Sequence, residues 1–172
     1  PVTDMNAGLL AALGIVSAYV HRLKTGEGQF VGTSLMGAGI HQTVWQAAIF
    51  FATGHSPGPG GSAHVLAAPY QAFPTADGWI NIGGANPSNW DRIARLVGAP
   101  ELIDDARFID NSARMANRDA LVALLSEHLR HRGTAQWLQE FDAAGIPAGP
   151  ILSIGEMAEH PQTLAREMVV EL

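Results

Sequence analysis

From residue 5 to residue 24 apolar side chains fall on nearly every face of a helical projection, which predicts a helix packed on all sides inside a larger body. Asp4 stands at the expected N-cap, and His21, Arg22 and Lys24 fall in the last turn, where positive charge meets the negative end of the helix dipole. Gly26 follows as a residue able to take a left-handed stop. The pattern next predicts a short strand over 29–34 and a second apolar helix over 40–51. Within 53–63 the run Pro57-Gly58-Pro59-Gly60-Gly61 excludes regular structure and marks a loop or domain boundary.

Beyond that loop, 70–73 and 79–82 read as strands joined through Asp77-Gly78, two residues that tolerate positive φ and so signal a hairpin turn. Helical periodicity returns over 88–97, 116–131 and 134–144, with Thr134 as a cap and Gly145 as a stop. An extended segment covers 148–152, and Ser153 with Glu156 forms a capping-box signature before another helix. Trp79, Trp90 and Trp137 are expected in the core of this half. The opening Pro1-Val2-Thr3-Asp4 and the strand-like run at 168–172 predict a chain cut at both ends.

Composition narrows the function classes. The 172 residues are 47% hydrophobic and 15% charged, which fits one soluble domain or one domain plus part of another. Cysteine is absent, so disulfides, thiolate catalysis and cysteine-ligated metals are excluded, and an intracellular, cytoplasmic setting is expected. A net charge of −6 without a basic patch argues against nucleic-acid and anionic-membrane partners. The longest apolar stretch, 9–20, is interrupted by Gly14 and Ser17 and is expected to be a buried helix, not a membrane span.

Several familiar chemistries fail on spacing. Gly26-Glu27-Gly28 lacks the third glycine of a dinucleotide fingerprint and leads from a helix into a strand, the reverse of the required order. Ser34, in Gly32-Thr33-Ser34-Leu35-Met36-Gly37, has one residue too many for a nucleophile elbow. His128 and His131 sit one turn apart without a third ligand nearby, so no metal site is expected; nor is a permanently bound cofactor expected.

Asp4 is the sharper candidate. A carboxylate at the start of a long apolar helix meets free backbone N–H groups and the positive end of the dipole, and stays ionised. Two readings are open: an N-cap worth about 1 kcal/mol, or a reactive carboxylate.

The segment Pro1-Val2-Thr3-Asp4-Met5-Asn6-Ala7-Gly8 continues through Ala11-Ala12-Leu13-Gly14-Ile15, His21-Arg22, Lys24-Thr25-Gly26-Glu27-Gly28-Gln29 and Val31-Gly32-Thr33-Ser34-Leu35. A second block joins Gly61-Ser62-Ala63-His64 to Ala68-Pro69-Tyr70-Gln71-Ala72-Phe73 and Thr75-Ala76-Asp77-Gly78. A third runs from Asn117-Arg118 through Trp137 to Gly145-Ile146-Pro147-Ala148-Gly149-Pro150. In this order the three blocks resemble family III CoA-transferases, the CaiB/BaiF family, over the whole chain. Gly32 departs from the pattern, since relatives usually carry Asp there.

The resemblance implies an α/β fold, with part of a Rossmann-like large domain over 1–55, a Gly/Pro loop over 56–66, a small α+β domain over 67–165 and the start of a return to the large domain over 166–172. It implies that Asp4 is the nucleophile of a CoA-transferase that moves CoA from an acyl-CoA to a carboxylic acid. Coenzyme A thioester is then substrate, most of it held by a segment preceding Asp4, without which this chain alone is expected to be inactive. The second block looks most like relatives that use dicarboxylic acids such as succinate or glutarate. Two chains are expected to interlock as a homodimer. Gly58, Gly60 and Gly61 are candidates for an oxyanion and substrate loop, or else form a plain interdomain linker. Asn6 and Ser34 are candidates for orienting the carboxylate, against capping and strand roles. Rival readings are a racemase of α-methylacyl-CoA thioesters from the same family and a non-catalytic interaction fragment.

Overall fold

A computed structural model describes residues 1–84 and 86–170. They form two compact units, Pro1–Pro59 and Gly60–Leu172, each with its own internal packing.

The first unit is helical. Helix α1 (Val2–Thr25) ends where Gly26 adopts φ 78° and its N–H bonds the Arg22 carbonyl at 2.8 Å. Arg22 and Lys24 occupy its last turn, opposite the carbonyl end of the dipole. The segment 29–34, expected as a strand, makes no strand pairing among the described residues. An extended segment becomes a strand only when a partner satisfies its alternate N–H and C=O groups. The apolar run expected as one helix is two, α2 (Leu35–Gln42) and α3 (Val44–Thr53). They part at Thr43, whose hydroxyl and N–H both turn back to the Ile40 carbonyl, at 2.8 and 3.0 Å.

The expected burial of α1 is not met within this unit, because α2 covers only one side of it. Ala7 is buried, whereas Leu9 is 70% and Leu13 65% exposed. The helix also runs past the apolar core at 9–20 at both ends, so its 24 residues span roughly 36 Å and are long and apolar enough to cross a membrane.

The second unit holds an antiparallel sheet in the order β1 (Tyr70–Pro74), β2 (Trp79–Gly83), β3 (Ala148–Pro150). Its inner face places Phe73, Ile80 and Ile82 against helices α4 (Pro87–Leu96), α6 (Arg118–Leu129) and α7 (Thr134–Ala143). Trp90, Leu121, Leu125, Trp137 and Phe141 fill the space between, all buried. Trp79 is the exception to the expected core: strand alternation sends Ile80 and Ile82 inward, so Trp79 faces outward and is 52% exposed.

Boundaries differ where side chains intervene. The helix expected over 116–131 is α6, and a short helix that the pattern did not predict, α5 (Asn111–Ala116), precedes it; the two part at Asn117, whose amide donates to the Ala113 and Arg107 carbonyls at 2.9 and 3.3 Å. The β1–β2 turn forms without positive φ at Asp77 or Gly78, closing instead through Thr75 N–H to the Gly78 carbonyl at 2.9 Å. Gly133, not Thr134, is the N-cap of α7, and Gly145 supplies the left-handed stop at φ 64°. Helix α8 (Ile154–Glu159) starts with both halves of the Ser153/Glu156 capping box, and α9 (Pro161–Ala165) follows. The run expected at 168–172 is partly outside the described residues, and 168–170 forms no strand.

Candidate active site

Asp4 is the third residue of α1, three positions further in than expected, because Pro1 takes the N-cap position. The Met5 N–H bonds the Pro1 carbonyl at 3.1 Å, so the chain is already helical at Asp4. The carboxylate is exposed and lies in the first turn, where the positive end of the dipole favours an anion. Its Oδ2 accepts a hydrogen bond from the Thr3 hydroxyl at 3.3 Å. Sequence reasoning passed over Thr3, because a hydroxyl next to an acidic residue carries no spacing signal.

The two residues proposed as orienters are both engaged at α2. Asn6 is half-buried and donates from Nδ2 to the Ala38 carbonyl at 3.3 Å, tying α1 to α2. Ser34 caps α2, its Oγ accepting the Gly37 N–H at 3.0 Å. This is a capping role, since Ser34 precedes a helix and joins no strand. Beside it an open hollow of about 610 Å³ is lined by residues of α1, the 31–34 segment and α2, among them Gly14, Gly32, Ser34, Gly37 and Ala38. Gly14 is a close approach: a Cβ there would lie 2.6 Å from Val31 Cγ1.

Of the three loop glycines, Gly58 falls in the first unit and Gly60 and Gly61 in the second. Gly61 needs its missing Cβ, since its φ is 59°. The Gly60 carbonyl accepts the Ala63 N–H at 3.1 Å, closing a turn.

The block after this turn folds back along β1. Ala72 N–H donates to Ser62 Oγ at 3.2 Å, His64 N–H to the Tyr70 carbonyl at 2.9 Å, and the His64 ring stacks on Tyr70 with centroids 4.9 Å apart. Asn111 and Arg114 on α5 hold the connecting residues: Asn111 donates to the Leu66 carbonyl at 2.9 Å and Arg114 Nε to the Ala68 carbonyl at 2.6 Å. The motif residues therefore shape a fixed hook at the edge of the sheet.

Comparison with known proteins covers the same ground. The CoA-transferase family III model matches residues 1–172. The chain is 34% identical to succinyl-CoA:glutarate CoA-transferase of Mus musculus over 99% of its own length and 39% of the relative's. It is 35% identical to acetyl-CoA:oxalate CoA-transferase of Acetobacter aceti, over 99% of the chain and 44% of that protein. A crystal structure of a CAIB/BAIF family protein from Brucella suis superposes with a TM-score of 0.81 at 37% identity, covering 98% of this chain and 44% of that one. The chain thus spans about two fifths of the length of the curated relatives it matches. A match along its whole length makes this chain a member of CoA-transferase family III.

Proposed function

We propose that this chain carries the nucleophile of an enzyme that transfers CoA from an acyl-CoA to a carboxylic acid, and that Asp4 is that nucleophile. The observation that carries the reading is an exposed carboxylate in the first turn of a 24-residue helix, in a chain of this family. Relatives named for glutarate and oxalate support a dicarboxylic acid as acceptor.

The chemistry divides one exchange into covalent steps. Asp4 Oδ1 attacks the thioester carbon, the C–S bond breaks, and a mixed anhydride and CoA thiolate result. The thiolate adds to Asp4 Cγ, the Cγ–Oδ1 bond breaks, and the donor acid leaves with Asp4 held as a CoA thioester. The acceptor carboxylate then attacks Cγ and releases the thiolate. That thiolate attacks the acceptor's carbonyl carbon, giving the new acyl-CoA and free Asp4. Each tetrahedral stage places negative charge on one oxygen, and water must be kept from both intermediates. Gly58, Gly60 and Gly61 are assigned to supply backbone N–H donors for that charge.

The first unit is read as part of a Rossmann-like large domain and the second as the small α+β domain. The apolar residues exposed along α1 are then covered in the full-length protein, which is read as a cytoplasmic, interlocked homodimer.

Trapping tests the assignment. The full-length enzyme turning over an acyl-CoA and a dicarboxylic acid is quenched with hydroxylamine and mapped by mass spectrometry, with the label expected on Asp4. An Asp4→Asn variant is expected to lose both label and CoA exchange. A label on another side chain, or solvent deuterium entering the α-carbon without CoA exchange, overturns the reading.

A further inference from the structure

We propose that Thr3 is a positioning residue for Asp4, its hydroxyl holding Oδ2 so that Oδ1 is the atom presented to the thioester. The inference rests on the reading of Asp4 as nucleophile. Thr3 Oγ1 lies 3.3 Å from Asp4 Oδ2. Hydroxyls further along these helices bond the carbonyl four residues back, Ser17 to Leu13 at 2.8 Å, Thr25 to His21 at 2.9 Å and Thr53 to Ile49 at 2.7 Å, an acceptor that Thr3, as the second residue of α1, lacks within its helix. Thr3 instead points its hydroxyl at a carboxylate.

Helix α2 constrains the side chain that makes this contact. At Gly39 a Cβ would stand 3.3 Å from Thr3 Cγ2, so the Thr3 methyl is seated against the bare backbone of α2. In a β-branched side chain one χ1 angle places both substituents, and lodging the methyl therefore aims the hydroxyl. A carboxylate otherwise turns freely in a broad torsional well, and a donor on one oxygen restricts it.

The same hydrogen bond serves later steps. In the mixed anhydride Oδ1 is bonded to the acyl carbon, and Oδ2 is the carbonyl oxygen of Asp4. When CoA thiolate adds to Cγ the negative charge develops on Oδ2, the atom that Thr3 already faces. When the acceptor carboxylate adds to the aspartyl thioester the charge develops on Oδ2 again. A donor placed before the charge appears stabilises it without reorganisation.

Two variants separate donor from packing in the full-length enzyme. Thr3→Val keeps the methyl and the branch but removes the donor; Thr3→Ser keeps the donor and removes the methyl. We expect Thr3→Val to lower kcat roughly tenfold with KM for acyl-CoA changed less than about twofold, and Thr3→Ser, which keeps the donor but loses the methyl that aims it, to fall between Thr3→Val and the parent enzyme. A Thr3→Val enzyme with parental kcat, or a Thr3→Ser enzyme as slow as Thr3→Val, overturns the proposal. Hydroxylamine mapping on the same samples keeps the two claims apart: a label on Asp4 beside an unaffected Thr3→Val rate sinks only the role of Thr3. Absence of that label in the parent enzyme sinks both.

Discussion

Asp77 Oδ1 accepts both the backbone N–H of Thr134, at 2.7 Å, and its hydroxyl, at 2.9 Å, so a hairpin-turn residue caps a helix 57 positions further on. Thr75 joins the group, its hydroxyl 2.7 Å from that of Thr134. The approach is close on both sides: a Cβ at Gly133 would lie 2.7 Å from Asp77 Oδ2, so the carboxylate would have to shift, and one at Gly78 would lie 3.2 Å from Thr134 Oγ1. The Thr134 N–H above all, then its hydroxyl, holds the Asp77 carboxyl below its ordinary value of 3.8.

A lowered folded-state value fixes the sign of the pH dependence. The charged form of Asp77 stabilises the fold fully above 3.8, and the contribution fades as pH falls through the depressed folded value. Asp77→Asn keeps an acceptor but removes the charge, so it is expected to unfold at lower urea than the parent near neutral pH. The gap should close in acid. Urea titrations followed by tryptophan fluorescence at a series of pH values measure this, and a gap of constant size across the acid range would contradict it.

The same constellation shows where sequence reading stops. Local signals carried through: the Ser153/Glu156 box, the stops at Gly26 and Gly145 and the pairing of β1 with β2 all depend on residues close in sequence. Thr134 could be read as a helix start, but its partner Asp77 lies on another element, and only tertiary packing brings them together. The break at Thr43 inside the apolar run and the end of α5 at Asn117 have a related cause, since side chains there bond to nearby carbonyls in competition with helix continuation. At the candidate site Asp4 was legible as a carboxylate near a helix start. The Thr3 contact was not, because it depends on Gly39 of α2.

Arg114 is a second feature that no local pattern announces. It is 1% exposed, lies over the Trp90 ring at 5.3 Å, and donates to the Ala68 and Phe108 carbonyls at 2.6 and 2.9 Å. Burial pushes its guanidinium down from the ordinary value, opposed by the charges of Asp110 and Asp91. Arg114→Met retains much of the stem but leaves both carbonyls without these donors, and is expected to cost about 3 kcal/mol in chemical denaturation. Arg114→Lys should recover little, because a single ammonium cannot reproduce the planar fork that spans two carbonyls. Parental stability in the lysine variant would show that the fork is not what matters.

Gly61 separates the two readings of the loop. Its φ of 59° is costly for a residue with a Cβ, so Gly61→Ala is expected to shift the local backbone at a cost of roughly 1–2 kcal/mol. If Gly58, Gly60 and Gly61 only link two units, that shift lowers stability and leaves the fate of the covalent intermediate unchanged. If their N–H groups hold the developing oxyanion and keep water from the anhydride and the aspartyl thioester, displacement lets hydrolysis compete with transfer. The proposed function predicts the second outcome. In the full-length Gly61→Ala enzyme, the share of acyl-CoA consumed as free acid and free CoA should rise relative to the share recovered as the new CoA ester. Measuring both products in one assay gives a ratio independent of how much enzyme is folded, and an unaltered ratio assigns the glycines to a linker.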